Sequence, residues 1–215
     1  MDKSMYSLML MDSVINEIDK LAYAQNTNRS NLINQILADY VSIQTPEMRV
    51  KEIFDLMTAQ VEALTDFKMA ALPSDFMFTV KSPLQYKHRP TIKYSVELYR
   101  ANSTLLGELR VVFRTQHYEL LLRLSEFFNI FMALEKHYIK NPAIEYVIEE
   151  GRFRRTLLIP KTSDALTGEY LSTAIGDYIK MFDDLLKYYL YDNDVGVNRI
   201  EQKYLEYINN GLIVI

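Results

Sequence analysis

The chain has no cysteine among its 215 residues. That excludes disulfides, thiolate metal sites, iron–sulfur clusters and cysteine nucleophiles together, and it fits a reducing cytoplasm. Glycine and proline are scarce, six of each, which excludes collagen-like and low-complexity architectures. There is no run of ~18 uncharged apolar residues, so no transmembrane helix and no membrane partner are expected. The opening segment has Lys3 and a short apolar stretch broken by Asp12, which does not fit a secretory signal. The GxSxG, GxxxxGK[ST] and GxGxxG patterns are missing. Only three histidines occur, His88, His117 and His137, and none has the i, i+4 spacing of a helical metal pair. Asp192-Asn193-Asp194-Val195-Gly196 has Gly where a calcium loop needs its fifth-position ligand, so a helix-terminating turn is expected there. The adjacent acidic pairs Glu149-Glu150 and Asp183-Asp184 cannot face each other on a strand or helix. The expectation is a cytoplasmic protein with no enzyme activity, no metal and no cofactor.

What is present describes a globular chain: 49% hydrophobic and 24% charged. The formal net charge of −4 does not predict a simple basic nucleic-acid binder. The charge is unevenly spread. Residues 1–45 carry net −2, residues 46–80 net −3, residues 81–123 net +5 and residues 124–215 net −4. The basic block holds Lys81, Lys87, His88, Arg89, Lys93, Arg100, Arg110, Arg114 and Arg123. Two readings of it stand side by side: contacts to phosphates or an acidic ligand, or the solvated face of an antiparallel sheet.

Residues 5–11 alternate, with Tyr6, Leu8 and Leu10 on one face and Met5, Ser7, Met9 and Met11 on the other, which predicts a strand. Asp12 or Ser13 then caps a helix striped with Val14, Ile15, Ile18, Leu21 and Ala22. After a polar turn, Asn28 is the expected N-cap of a second helix that buries Leu32, Ile33, Ile36, Leu37, Tyr40 and Val41. Pro46 opens a third helix over 46–65. Strands are expected over 76–81, 91–99 and 107–115, then a helix over 117–139. A hairpin of 144–149 and 152–159 turns on Glu150-Gly151. Helices over 163–190 and 196–209 end the chain. The fold class is therefore α+β, with a small N-terminal domain over 1–45 and a larger domain over 46–215.

A strand and two helices in ~40 residues cannot bury a core alone, and a lone strand leaves both edges unpaired. A dimer that pairs two such strands resolves both problems. The segments YSLML (6–10), Val14/Ile18/Leu21 and NRSNLINQILADYV (28–41) resemble the ribbon-helix-helix family of DNA-binding regulators, the Arc, MetJ and CopG type. The resemblance covers about 40 residues. It implies an intertwined homodimer whose two-stranded ribbon enters the major groove of double-stranded DNA. It places Met5, Ser7 and Met9 against base edges. It sets Lys3, Asn28, Arg29 and Ser30 on backbone phosphates, the last three at a helix N-terminus. It puts Tyr6, Leu8, Leu10, Ile18, Leu21, Ile33 and Leu37 in the dimer core. A Met–Ser–Met reading face departs from the family's usual Arg, Lys, Asn, Gln or Thr and lacks bidentate base contacts, so weak intrinsic specificity is expected.

The implied function is a dimeric transcriptional regulator, a repressor by family habit. The larger domain would sense a small-molecule or protein effector, or join dimers into a dimer of dimers. The alternative is an antitoxin or protein-interaction adaptor that uses the N-terminal unit mainly to dimerise. Arg152 and Arg154 share a strand face and form a candidate anion site, beside the plainer reading of a charged surface hairpin.

Overall fold

The computed structural model describes residues 5–85, 90–100, 104–160, 166–192 and 195–215. The chain divides into two compact units, Met1–Arg49 and Val50–Ile215. Among the described residues there are six α-helices and one six-stranded antiparallel sheet, a mixed α+β architecture.

The first unit departs from expectation at its start. Residues 5–11 form no strand; the described chain begins with helices, and these residues lie exposed outside any element. The reason is physical: strand geometry is held by a neighbouring ladder, and one copy of the chain offers residues 5–11 no neighbour. Helix α1 (Asp12–Ala24) follows, with Met11 in the N-cap position. The expected side-chain cap from Asp12 or Ser13 is therefore not made; Asp12 sits in the first turn, where its charge opposes the positive end of the helix dipole. Helix α2 (Arg29–Tyr40) is capped as expected: Asn28 is extended, and its side-chain oxygen accepts from the Asn31 amide at 2.9 Å. The core of this unit is small. Ile18, Ala22 and Leu32 are buried together, with Ile33 partly covered against them.

Helix α3 (Pro46–Glu62) begins on Pro46, and the Thr45 hydroxyl accepts from the Met48 amide at 3.1 Å. It buries Val50, Ile53, Phe54 and Met57 and stops three residues short of the expected end. The strands are β1 (Lys68–Met69), β2 (Met77–Pro83), β3 (Thr91–Leu98), β4 (Leu105–Phe113), β5 (Tyr146–Glu149) and β6 (Arg152–Leu158), in spatial order β1-β2-β3-β4-β6-β5. Two residues of β1 carry no readable alternation, which is why the sequence did not reveal that strand.

The register lines up one apolar face across the sheet. Phe78 lies opposite Val96, Val96 opposite Leu109, and Val111 opposite Phe153. Helices α3, α4 (Tyr118–Ile139), α5 (Gly168–Tyr191) and α6 (Val197–Asn209) contribute to the same hydrophobic core. Its centre is aromatic: Phe182 lies 4.7 Å from Phe131, 5.2 Å from Phe153 and 5.6 Å from Phe127, ring centre to ring centre. Edge-on and tilted pairs of this kind add to the burial of each ring. Gly107 is required where it stands, because a Cβ there would lie 2.0 Å from the Glu97 carbonyl oxygen, at the register shift between Leu105 and Gly107. Gly151 takes φ +65° in the β5–β6 turn, a conformation that favours glycine. No helix among the described residues is long and apolar enough to cross a membrane.

Candidate functional site

The side chains assigned to DNA and to a second copy fall in the first unit, and their exposure is graded. Met5 and Met9 are fully exposed, Tyr6 is 84% exposed, Leu8 62% and Leu10 39%. Tyr6, Leu8 and Leu10 are each less exposed than the methionine beside them. Ser7 is also exposed. Of the remaining core candidates, Ile18 is buried and Ile33 partly buried within the chain, whereas Leu21 and Leu37 are half-exposed. Five of the seven proposed dimer-core residues are therefore uncovered in one copy. Val14, Ile36, Tyr40 and Val41 add to this exposed apolar surface, against the expectation that α2 buries Ile36, Tyr40 and Val41.

At the start of α2, the first-turn amides of Arg29 and Ser30 have no acceptor within the helix, the usual basis of anion binding there. The Arg29 guanidinium is already engaged. Its Nε and Nη2 donate to the two Asp19 carboxylate oxygens at 2.7 and 2.5 Å. The hydrogen bond from Arg29 holds the Asp19 carboxyl below its ordinary range. A DNA phosphate at this point has to share Arg29 with Asp19. Sequence reading missed Asp19 because the contact depends on how α1 folds back on α2, ten residues apart in the chain. Lys3 lies outside the described residues.

The basic block is dispersed by the fold. Arg123 points its guanidinium at the end of α5, donating to the carbonyls of Tyr189 at 2.5 Å and Leu190 at 3.1 Å. Arg100 pairs with Asp75 at 3.2 Å. Lys87, His88 and Arg89 lie outside the described residues. Lys81, Lys93 and Arg110 stand on the face of the sheet turned away from the aromatic core, as do Arg152 and Arg154. The candidate anion clamp of Arg152 and Arg154 is partnered from within. Arg154 meets Glu108 at 3.3 Å, and Arg152 meets Glu149 at 3.6 Å. Glu108, nearly buried, also receives Arg110 and the Tyr99 hydroxyl, the latter at 3.1 Å. Arg110 bridges on to Glu97 at 2.7 Å. Glu97, Arg110, Glu108 and Arg154 thus form one ion network on this face.

Two buried polar clusters were not legible in the sequence. Arg155 alternates onto the core face with Phe153 and is fully buried; its Nε donates to the equally buried Glu135 of α4 at 2.9 Å, and the guanidinium lies 4.6 Å above the Tyr178 ring. It also donates to the Ile215 carbonyl. Asp183 accepts from Ser82 at 2.9 Å and Tyr94 at 2.8 Å and pairs with Lys187 at 2.7 Å. Burial raises the Asp183 carboxyl, and Lys187, Tyr94 and Ser82 pull against that rise. Its neighbour Asp184 turns elsewhere, to the Tyr207 hydroxyl, as helical spacing requires. Arg155, Glu135 and Asp183 are all sealed from solvent. Among the described residues no group of three His, Cys, Asp or Glu could hold a metal ion. Residues 193 and 194 of the Asp192–Gly196 turn lie outside the described residues. Comparisons with family models, with curated proteins and with solved structures find no match to this chain.

Proposed function

We propose that this chain is a dimeric DNA-binding regulator of the ribbon-helix-helix kind. Residues 5–11 of two copies pair as an antiparallel ribbon, and α1 and α2 interlock beneath it. One observation carries this reading: a unit that buries only Ile18, Ala22 and Leu32 in its own cluster leaves Tyr6, Leu8, Leu10, Leu21 and Leu37 uncovered. A second copy is the natural cover, because residues 5–11 have no ladder partner within the chain and carry three of these side chains. Met5, Ser7 and Met9 then face the major groove, and Arg29, Ser30 and the Asn28 cap meet the phosphates, with Lys3 at the approach. The larger unit serves as regulatory or assembly domain.

The test is recovery and sequencing of genomic DNA fragments bound by the full chain and by Leu8→Glu. The expected result is a defined site enriched by the unaltered chain and lost with Leu8→Glu, which sediments as a monomer because a charge in the shared core is too costly. A folded Leu8→Glu dimer would mean that the strand faces are reversed. The second reading, an adaptor that only dimerises, draws on the Asp19–Arg29 pair and the Met–Ser–Met face. It predicts no DNA retention even at low salt, where non-specific binding is strongest.

A further inference from the structure

The face of the sheet opposite the aromatic core carries two kinds of row. In one, Ser95 lies opposite Arg110 and Arg110 opposite Arg154, and the next row brings Glu97 and Glu108 to neutralise them. In the other, Lys68 lies opposite Lys81, and Lys81 opposite Lys93. Adjacent strands are ~4.8 Å apart, and like charges directly opposite one another destabilise a sheet. None of Lys68, Lys81 or Lys93 has an ion pair among the described residues, and neither has Arg114 just beyond the end of β4. Carboxylates are not in short supply in a chain with 28 Asp and Glu; they are simply not placed here.

This row borders a hollow of about 520 Å³. Lys81, Lys93 and Arg114 line it together with the hydroxyl residues Ser74, Thr79 and Thr91, and no acidic side chain does. Leu72 and Val112 supply an apolar part. The volume falls in the range of small-molecule sites (~300–1,000 Å³), which combine apolar walls with a few convergent polar groups. The Thr79 hydroxyl donates to Ser95 at 3.3 Å; three cations with the Ser74 and Thr91 hydroxyls beside them suit a multiply charged oxyanion that accepts several hydrogen bonds at once.

We propose that this hollow over β2–β4 binds a small phosphate-bearing molecule, its phosphate held by Lys81, Lys93 and Arg114. The site lies wholly in the larger unit and does not depend on DNA binding by the smaller one. Its ligand neutralises the repulsion that the lysine row leaves in the empty protein.

The probe is inorganic pyrophosphate, titrated calorimetrically into the full chain against sodium chloride at equal ionic strength. Saturable binding is expected with the unaltered chain. Lys81→Gln and Lys93→Gln should each weaken it about tenfold, the loss of one charge-assisted hydrogen bond. Lys51→Gln, which alters an exposed lysine of α3 paired with Asp55, should leave it unchanged. In sodium chloride alone, the two sheet variants should unfold at the same temperature as the unaltered chain or higher, because they relieve like-charge repulsion. No binding beyond the chloride control overturns the proposal, and so does an equal loss with Lys51→Gln. Unaltered pyrophosphate binding with reduced DNA retention in the sheet variants would also overturn it, since the row would then contact nucleic-acid phosphates. A lower unfolding temperature in chloride for both sheet variants would assign the lysines to the fold and count against the site.

Discussion

The two units treat their apolar side chains in opposite ways. Beyond Val50, nearly every large apolar residue on a regular element reaches one continuous core, and even charged groups are drawn in with partners: Arg155 with Glu135, and Asp183 with Lys187, Ser82 and Tyr94. Before Arg49, the two helices bury only Ile18, Ala22, Leu32 and Ala38 and leave leucines, methionines and tyrosines in solvent. A unit of ~45 residues has too little volume to enclose its own stripe. A unit of the larger size has enough, and it can also sustain buried ion pairs. Exposed apolar side chains are therefore concentrated in the first unit and scattered in the second, as at Tyr118 or Leu122.

The largest effect expected comes from the larger unit. Arg155→Met leaves Glu135 charged and unpaired in the interior and should cost about 3–5 kcal/mol in denaturant unfolding. Arg155→Met combined with Glu135→Leu should recover most of that loss, because the costly group is the orphaned charge. If the double variant is no better than the single one, the pair is not what holds this region.

The next test compares leucines across the two units. Leu37→Ala should cost about 2–4 kcal/mol if a second copy covers that side chain, and its stability should depend on protein concentration. An exposed surface leucine such as Leu122 should cost less than about 0.5 kcal/mol on the same change. Equal small costs at both positions would remove the contrast between the units.

Asp183 supplies a pH test. Its carboxyl is raised in the folded chain, so the fold binds that proton more tightly than the unfolded chain does. This contribution to stability grows as pH falls through the folded value and levels off below the ordinary carboxylate range. Asp183→Asn lacks it. The stability of the unaltered chain relative to Asp183→Asn should therefore increase towards acid pH; a difference that is flat with pH would contradict the assigned shift.

The smallest effect concerns Arg29. Asp19→Asn frees the guanidinium and should raise DNA affinity severalfold at low salt. Arg29→Ala with Ser30→Ala should weaken binding to all sequences alike, as phosphate contacts do. A changed sequence preference without loss of non-specific affinity would remove both residues from the phosphate role.

Much of the larger unit was legible in advance, because its elements obey clean periods. The alternation of Ile92, Tyr94, Val96 and Leu98 marked β3, and the leucine and phenylalanine stripe marked a helix over 117–139, which the structure has as α4 with His117 in the N-cap position. The Asn28 cap located α2 to the residue. The misses share a cause. Residues 5–11 alternate, yet alternation only says which faces differ; a strand also needs a neighbour, and among the described residues no strand pairs with them. Arg154 and Arg155 are adjacent and chemically identical, and only the pleat sends one to solvent and the other beneath Tyr178.

The sequence by itself determined the α+β class, the extent of most helices and strands, the absence of thiol chemistry and the N-terminal resemblance, since these depend on local period and composition. Tertiary structure alone decided which charges meet. It closed Asp19 on Arg29, gave Glu108 to Arg110 and Arg154, and sank Arg155 onto Glu135. It also set Lys68, Lys81 and Lys93 in one unneutralised row. Charge pairing depends on distances of a few ångströms between residues far apart in the chain. Only the register of the sheet and the seating of the helices set those distances.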